Sequence, residues 1–333
     1  MPPERPLLTI AIPTYNRHDC LAQLLEVLGP QLSNESRVEL VISDNASSDD
    51  TPGVVAAFRA KGFTLRYTRN ETNMGADVNF LRCYEMARGE YVWIFGDDDI
   101  IVPGGLRVVL GCLEDRKYDL LYLKAQGFQG KYKIGPQAEF TGNVQRFSTP
   151  RDFALYTYTH LTFISANILR KASLESIPHE DFSKFVGTCL VQLSWTFSLL
   201  RGNARCACLL DKVVANRLDN GGDHGTCEVF GTNLTAIVKE CFGLPSPIGS
   251  AIVNRTILGF FPWAMLLKRR GRLSRHLAED PVEILKGVYG DNPRYWIFVH
   301  PVLRLPLPLA SACSLMAKII SRVDQRLGYP VSR

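Results

Sequence analysis

Over the first 125 residues, short apolar runs rich in strand formers alternate with segments of helical periodicity, and this alternation limits the possible folds more than any other feature of the chain. Residues 7–12 (Leu-Leu-Thr-Ile-Ala-Ile), 38–43 (Val-Glu-Leu-Val-Ile-Ser), 64–68 and 91–95 read as strands. Between them, Leu21, Leu24, Leu25, Leu28 and Leu32 mark a helix over 18–32, Pro52 opens one from Thr51 to Lys61, and Phe80, Leu81, Tyr84 and Ala87 share a face over 77–88. Strictly alternating strands and helices predict an α/β fold with a mostly parallel sheet flanked by helices. Further elements are expected at 103–117 (helix), 119–124 (strand), near 161–169 (strand), 187–200 (helix) and 209–215 (strand). Residues 126–150 read as an irregular hairpin, and the chain turns helical after about 228.

In an open sheet of this kind ligands bind beyond the carboxyl ends of the strands, and four such ends carry polar residues. The first is closed by Pro13-Thr14-Tyr15-Asn16-Arg17, which offers backbone groups, a ring that can stack and a guanidinium. The second ends in Ser43-Asp44-Asn45-Ala46-Ser47-Ser48-Asp49, where Asp44 could accept from a base or ribose hydroxyl. Near the third, Asn73-Met74-Gly75 suits a close backbone approach. Ordinary turn and cap chemistry would also account for each of these three loops. The fourth end is more demanding. Phe95-Gly96-Asp97-Asp98-Asp99 follows the apolar run 91–94. Three carboxylates there repel one another and lose hydration, a cost that a divalent cation with phosphate ligands would offset.

Composition narrows the remaining options. The 333 residues suffice for one large or two smaller domains. The nine Cys form no CxxC pair, so a reduced compartment with inert thiols is expected rather than a zinc site. No basic segment leading into an apolar one marks a signal peptide. The net charge of +5 is uneven: residues 251–333 hold 13 Lys and Arg against 5 Asp and Glu, leaving −3 for the preceding 250. That region also carries apolar stretches, 257–267 running into Lys268-Arg269-Arg270 and 295–299 preceding Leu303 to Ile320. Neither supplies the ~20 clean apolar residues of a membrane span, so interfacial helices with Trp and Phe beside Arg are expected.

Taken in order, Ile-Pro-Thr-Tyr-Asn-Arg, Ser-Asp-Asn-Ala-Ser-Ser-Asp, Asn-Met-Gly and Gly-Asp-Asp-Asp resemble the GT-A (Rossmann-like) glycosyltransferases of the large inverting family 2 over residues 7–125. Asn73-Met74-Gly75, the Gly-Asp-Asp-Asp form and Phe185-Val186-Gly187-Thr188 look closest to its abequosyltransferase-like branch of O-antigen and polysaccharide enzymes. The resemblance implies a catalytic domain over 1–227, with a nucleotide-binding half (1–125) and an acceptor half (126–227), followed by a helical, membrane-associating region over 228–333. It implies that Pro13, Thr14, Tyr15 and Arg17 lie along a nucleotide-diphosphate sugar, that Asp44 binds base or ribose, and that Asn73, Gly75 and Asp98 line the donor. Asp97 would contact ribose or metal-bound water. Asp99 matches the last carboxylate of the DxD motif and would ligate Mn2+ or Mg2+, with Asp97 beside it. Arg217 would reach the diphosphate, and the loop 220–222 could order over the donor.

The expected acceptor is lipid-linked or polysaccharide, the expected place the cytoplasmic face of the cell membrane, and nucleic acid is not an expected partner. The chain departs from the family at the catalytic base, usually one of an acidic pair just before a helix. Here that helix is expected from Phe185 without the pair, which leaves Asp181 or Glu180, or Asp223 or His224 in the later turn. Two other readings stay open: a non-catalytic nucleotide-sugar or membrane-binding scaffold, and a sugar nucleotidyltransferase, although the first loop lacks the glycines that would hold a triphosphate.

Overall fold

The computed structural model describes residues 5–115, 117–135, 139–202, 204–219, 225–271 and 279–328, with side chains as far as 323. The chain folds as two compact units, Met1–Phe147 with Leu161–Asn220, and Ser148–His160 with Gly221–Arg333. The sequence expectation put one break at 227/228. The segment 148–160 instead belongs with the C-terminal unit, where Thr159 Oγ1 lies 2.6 Å from Thr256 Oγ1.

The first unit is a mixed α/β sheet. In chain order its elements are β1 (Leu8–Thr14), α1 (His18–Leu32), β2 (Val38–Asp44), α2 (Thr51–Ala60), β3 (Arg66–Arg69), α3 (Ala76–Met86), β4 (Tyr91–Ile94), β5 (Ile100–Ile101), α4 (Gly105–Glu114), β6 (Leu120–Phe128) and β7 (Val144–Arg146). After α5 (Pro150–Thr157), which lies in the second unit, the first continues with β8 (Asn167–Arg170), α6 (His179–Ser183), α7 (Leu193–Arg201) and β9 (Cys206–Arg217). The strand order is β3-β2-β1-β4-β8-β6-β9-β5, with β7 paired to β9. The block β3-β2-β1-β4 is entirely parallel, and every antiparallel pairing involves β5, β7 or β8. Every residue of β1 is buried, as the apolar run requires of a strand with neighbours on both sides and helices on both faces. Trp93 and Phe95 meet edge to face in the core at 5.0 Å. The edge strand β3 is only half buried and reads Arg-Tyr-Thr-Arg, a charged sequence that discourages further pairing.

Three departures from the sequence reading matter for the site. The two-residue strand β5 was not foreseen; it pairs with β9 as Ile100↔Ala215. The β9 strand runs to Arg217 rather than stopping at 215, its register against β6 shifting around Lys124. The helix expected from Gly187 begins at Leu193, because Gly187 and Cys189 take positive φ values of 89° and 61° and turn the chain before it.

The second unit is helical after α5, with α8 (Leu234–Phe242), α9 (Pro247–Arg255), α10 (Phe261–Arg269), α11 (Pro281–Tyr289), α12 (His300–Arg304) and α13 (Leu307–Gly328). Pro247–Arg269 is long and apolar enough to cross a membrane by length and composition, but 67% of its apolar window is buried within the protein, as in a core helix. All nine cysteines are free thiols.

One buried carboxylate ties the strand starts of the first unit together. Asp119, just before β6, accepts from Arg205 Nε (3.0 Å), Nη2 (2.8 Å) and backbone N (2.8 Å), and from Ser173 Oγ (2.7 Å). Burial alone would raise its pKa, but the Arg205 and Ser173 hydrogen bonds outweigh burial and hold it at about 2. A depressed carboxylate pKa stabilises the fold above the unfolded value near 4, and the gain disappears as pH falls toward about 2. Asp119→Asn is therefore expected to cost about 1–3 kcal/mol at neutral pH in urea unfolding. Its stability should also fall less steeply than wild type below about pH 4. A variant with wild-type midpoints at both pH values would remove Asp119 from this role.

Candidate active site

Parallel register sets the strand ends level with one another. Thr14 pairs with Asp44 across β1 and β2, Asp44 with Arg69 across β2 and β3, and Ala11 with Ile94 across β1 and β4. Continuing the last pairing by three residues brings Asp97 opposite Thr14, and Thr14 Oγ1 donates to Asp97 Oδ2 at 2.7 Å. Asn16 takes a φ of 51°, and Arg17 then reaches back to Asp97 Oδ1 (3.3 Å) and Asp98 Oδ2 (3.1 Å). The acidic turn thus points into the protein; Asp97 and Asp99 are each only 4% exposed.

Asp99 is held differently. Its Oδ2 accepts from Ser165 Oγ at 2.6 Å, and its Oδ1 accepts from the Arg217 backbone N–H at 3.1 Å, both uncharged donors. The β5–β9 pairing accounts for the second contact, since it sets the end of β9 beside residues 98 and 99. Ser165, absent from the sequence expectation, is a pivot. Its hydroxyl accepts from Gly96 N (2.9 Å) while donating to Asp99, and its carbonyl accepts from Trp93 Nε1 (2.8 Å). A Cβ at Gly96 would sit 3.1–3.3 Å from Asp99 Oδ2, Asp98 Oδ1 and Ser165 Oγ, so glycine is what lets the carboxylates fold around this point. No spacing rule marks Ser165, because it lies 66 residues from Asp99.

The electrostatics follow from burial. Desolvation, then the charge of Asp98, pushes Asp97 up to about 7 against the pull of Arg17 and Thr14. The same two causes push Asp99 up to about 8 against Ser165 and the Arg217 N–H. Each carboxylate oxygen keeps a second lone pair, so the donor set of the turn fits a hard divalent cation. Among the described residues no group of three or more His, Cys, Asp and Glu forms a metal cage. Of the described residues, those of this turn would supply a cation's protein ligands, with phosphate oxygens and water completing its shell.

The remaining rim is a hydrogen-bonded scaffold. Asp44 is fully buried; Oδ1 accepts from Ser47 N (2.8 Å), and Oδ2 accepts from Tyr67 OH (2.6 Å) with Arg69 Nε at 3.6 Å. The Asn45 side chain joins the second and third loops, donating to Asn73 Oδ1 (2.7 Å) and accepting from Asn70 Nδ2 (2.8 Å) and Met74 N (3.0 Å). Asn73 Oδ1 also accepts from Gly75 N, and Gly75 opens α3 at a φ of 85° that favours glycine. Asp49 serves as a cap, accepting from His18 N (2.9 Å) and from Thr51 N and Oγ1 (3.1 and 2.6 Å). Tyr15 is exposed beside Pro13 at the end of β1. The Arg217 guanidinium donates to Gln23 Oε1 (2.8 Å) and the Gly130 carbonyl and lies 4.9 Å from the Phe128 ring centre.

The candidate bases are placed apart from this network. Glu180 and Asp181 are exposed on the short helix α6, and among the described residues neither side chain makes a hydrogen bond or ion pair. Asp223, His224 and the loop 220–222 lie outside the described residues. The turn at 187–189, ahead of α7, is bonded from elsewhere: Asp77, in the first turn of α3, accepts through Oδ2 from Gly187 N (2.8 Å) and Cys189 N (3.0 Å). Burial raises its pKa, and Oδ1 is buried with no hydrogen-bond partner among the described residues. In the sequence Asp77 looks like an ordinary acidic residue at a helix start.

The model for Glycosyl transferase family 2 matches residues 9–177, just over half of the chain. Abequosyltransferase RfbV of Salmonella typhimurium is 38% identical over 111 residues, 33% of this chain and 33% of that protein. The GalNAc(5)-diNAcBac-PP-undecaprenol beta-1,3-glucosyltransferase of Campylobacter jejuni is 29% identical over 106 residues, 32% of this chain and 34% of that protein. The matched stretch thus spans about a third of the length of these curated relatives. Among solved structures, Staphylococcus aureus TarS 1–349 in complex with UDP-GlcNAc aligns at a TM-score of 0.58 and 20% identity, covering 97% of this chain and 93% of that one. The mannosyltransferase PcManGT from Pyrobaculum calidifontis, in complex with GDP-Man and Mn2+, aligns at 0.56 and 16%, covering 97% and 87%. At these identities the likeness establishes the fold, that of GT-A glycosyltransferases.

The raised carboxylates give a pH test. Because Asp97 and Asp99 titrate above an unfolded carboxylate, the cation-free fold should lose stability as pH rises from about 4 to about 8. A divalent cation competes with those protons. The thermal shift given by Mn2+ with a nucleoside diphosphate is therefore expected to be small near pH 6, to grow across about pH 7–8 and to level off above it. A shift independent of pH over that range would exclude cation binding by these carboxylates.

Proposed function

The chain belongs to glycosyl transferase family 2, and on that premise we propose that it moves a sugar from a nucleotide-diphosphate donor, bound at the carboxyl ends of β1–β4, to a lipid-linked or polysaccharide acceptor. The observation that carries this is the buried acidic turn Asp97–Asp99, bonded to Thr14 and Arg17 at the end of β1 and to Ser165 and Arg217 from distant parts of the chain. In this reading Tyr15 stacks along the nucleotide and Arg17 orients Asp97 and Asp98. Asn45, Asn73 and Gly75 fix the loop beside the donor, and Asp44 acts from within the rim by holding Ser47 and Tyr67. Asp99 would hold Mn2+ or Mg2+, with Asp97 next to it. When bound, the cation supplies Lewis-acid neutralisation of the diphosphate leaving group. A displacement at the sugar with inversion is expected, with Asp181 or Glu180, both accessible, as the base toward the acceptor hydroxyl. The donor reading draws support from the UDP-GlcNAc of the TarS complex and the GDP-Man and Mn2+ of the PcManGT complex. The acceptor reading draws support from the polyprenol-linked acceptor named for the Campylobacter enzyme and the poly(ribitol-phosphate) named for TarS.

Contact of the second unit with the cytoplasmic face of the cell membrane belongs to the same proposal. Its support is the pattern of α13, whose amphipathicity runs inside out. The buried positions are small, Ala310, Ser314, Ala317 and Ser321, while Leu315 (58% exposed), Met316, Ile319 (47%), Ile320 and Val323 face outward. Lys318 and Arg322 share that exposed side. Large apolar residues mixed with cations suit the interface of an anionic bilayer, and the exposed Trp263 and Trp296 of the same unit are residues that settle there.

Asp99→Asn is expected to lower both sugar transfer and donor hydrolysis by about a hundredfold or more, with folding intact by circular dichroism. Unchanged turnover would remove Asp99 from the mechanism. For the membrane, Leu315→Ser, Ile319→Ser and Val323→Ser together are expected to abolish flotation with anionic vesicles while leaving turnover on a soluble acceptor unchanged. If the wild-type chain stays off vesicles and self-associates instead, the face is an interface between copies.

A further inference from the structure

One side chain of α3 holds a turn from the far half of the first unit. Asp77 is 7% exposed, and its Oδ2 meets the N–H groups of Gly187 and Cys189. Both of those residues are left-handed, at φ values of 89° and 61°. A cysteine keeps such a conformation only where its surroundings enforce it. The same helix holds the flanking segments through aromatic rings. Tyr84, further along α3, meets Phe182 of α6 edge to face at 5.3 Å and stacks on Trp195 of α7 at 5.0 Å. The end of α6, the turn and the start of α7 are thus laid along α3.

The turn also borders the rim. Asp77 closely follows Gly75 of the third loop at the start of α3. On the other side Gln192, directly before α7, donates through Nε2 to the Thr162 carbonyl at 2.6 Å, and Ser165 of the same segment reaches Asp99. That segment precedes β8, which runs antiparallel to β4, so it lies at the carboxyl end of β4 together with the acidic turn. The chain from 187 to 192 therefore joins the loop 73–75 to the segment 162–165, and it exposes Gly187 and Cys189 beside Val186. The short helix α6 just before it carries Glu180 and Asp181. A left-handed cysteine and a buried carboxylate oxygen with no partner among the described residues are both costly, and folds retain such features where a site depends on them. We propose that Asp77 is a positioning residue for sugar transfer: through the turn 187–189 it fixes one wall of the donor site and the placement of α6. The proposal rests on the reading of the chain as a sugar transferase.

The exposed thiol of Cys189 reports on the turn. The test uses the full chain, N-ethylmaleimide with peptide mapping of the Cys189 adduct, and a panel of UDP-, GDP-, CDP- and dTDP-sugars with Mn2+. The sugar nucleotide giving the largest thermal shift serves as the donor probe. Bound donor is expected to slow Cys189 labelling in wild type. Asp77→Ala is expected to speed labelling about tenfold as the turn opens. It should lower release of nucleoside diphosphate from the probe about ten- to hundredfold, the cost of a misplaced site wall. Affinity for the free nucleoside diphosphate with Mn2+ should stay within about twofold of wild type, which a general loss of structure would not allow. A Cβ at Gly187 meets nothing within 4 Å, so Gly187→Ala disfavours the turn without a clash and should move the same readings in the same directions. Where Asp77→Ala does not fold, Asp77→Asn and Gly187→Ala give the reading. Wild-type labelling in the Asp77 variants would overturn the proposal. So would fast labelling with undiminished release, or a bound donor that leaves Cys189 unprotected, and in either case the transferase reading stands. If no member of the panel shifts the wild-type melting point, the transferase reading fails and this role of Asp77 falls with it.

Discussion

The first unit is organised around three consecutive carboxylates placed where water is largely excluded. Asp97 and Asp99 are buried at the end of β4, and each is held by groups that arrive from far along the chain. A hydroxyl comes from the last residue of β1, a guanidinium from the loop after it, a second hydroxyl from the segment before β8, and a backbone N–H from the end of β9. No local interaction could hold this turn, since like charges at such spacing repel and lose hydration. The sheet brings the four donors to one place, and the turn in turn fixes where β5 begins and where β9 must reach.

The rim loops follow the same logic on a smaller scale. Backbone at strand ends has no ladder partner, so side-chain amides and carboxylates supply the missing bonds. Asn45 bridges two loops, Asp44 closes its own loop onto Tyr67, and Asp49 caps the helix on either side. Several residues whose types suggest ligand contact also shape the rim, and Arg217 donates to Gln23 and stacks on Phe128. The turn ahead of α7 is held by a group from another element. The turn at 187–189 has no acid of its own, and Asp77 from α3 enters it to bond two backbone N–H groups.

The second unit obeys a different rule. Its core is built by helices that bury small residues of α13 and leave the large apolar ones outside. In water that arrangement forfeits apolar burial worth about 25 cal/mol per Å2.

The alternation of strands and helices from β1 through β4, the burial of β1 and β4, and the acidic turn itself were legible in the chain, whereas the two-residue β5 was not. A strand buried on both faces must be a continuous apolar run, and an acid triplet stands out directly after one. Local pattern also located the loops at 13–17, 44–49 and 73–75, because turn chemistry is written in adjacent residues. What local pattern could not contain is partnership across sequence distance. Ser165 and the Arg217 backbone meet Asp99, and Asp77 meets the turn at 187–189, only after folding. Which side of α13 faces the core was likewise set by the neighbours it packs against. Sequence alone determined the elements and the chemistry each strand end carries; the tertiary structure decided which groups act together, because hydrogen bonds and charge interactions depend on distance in space and not along the chain.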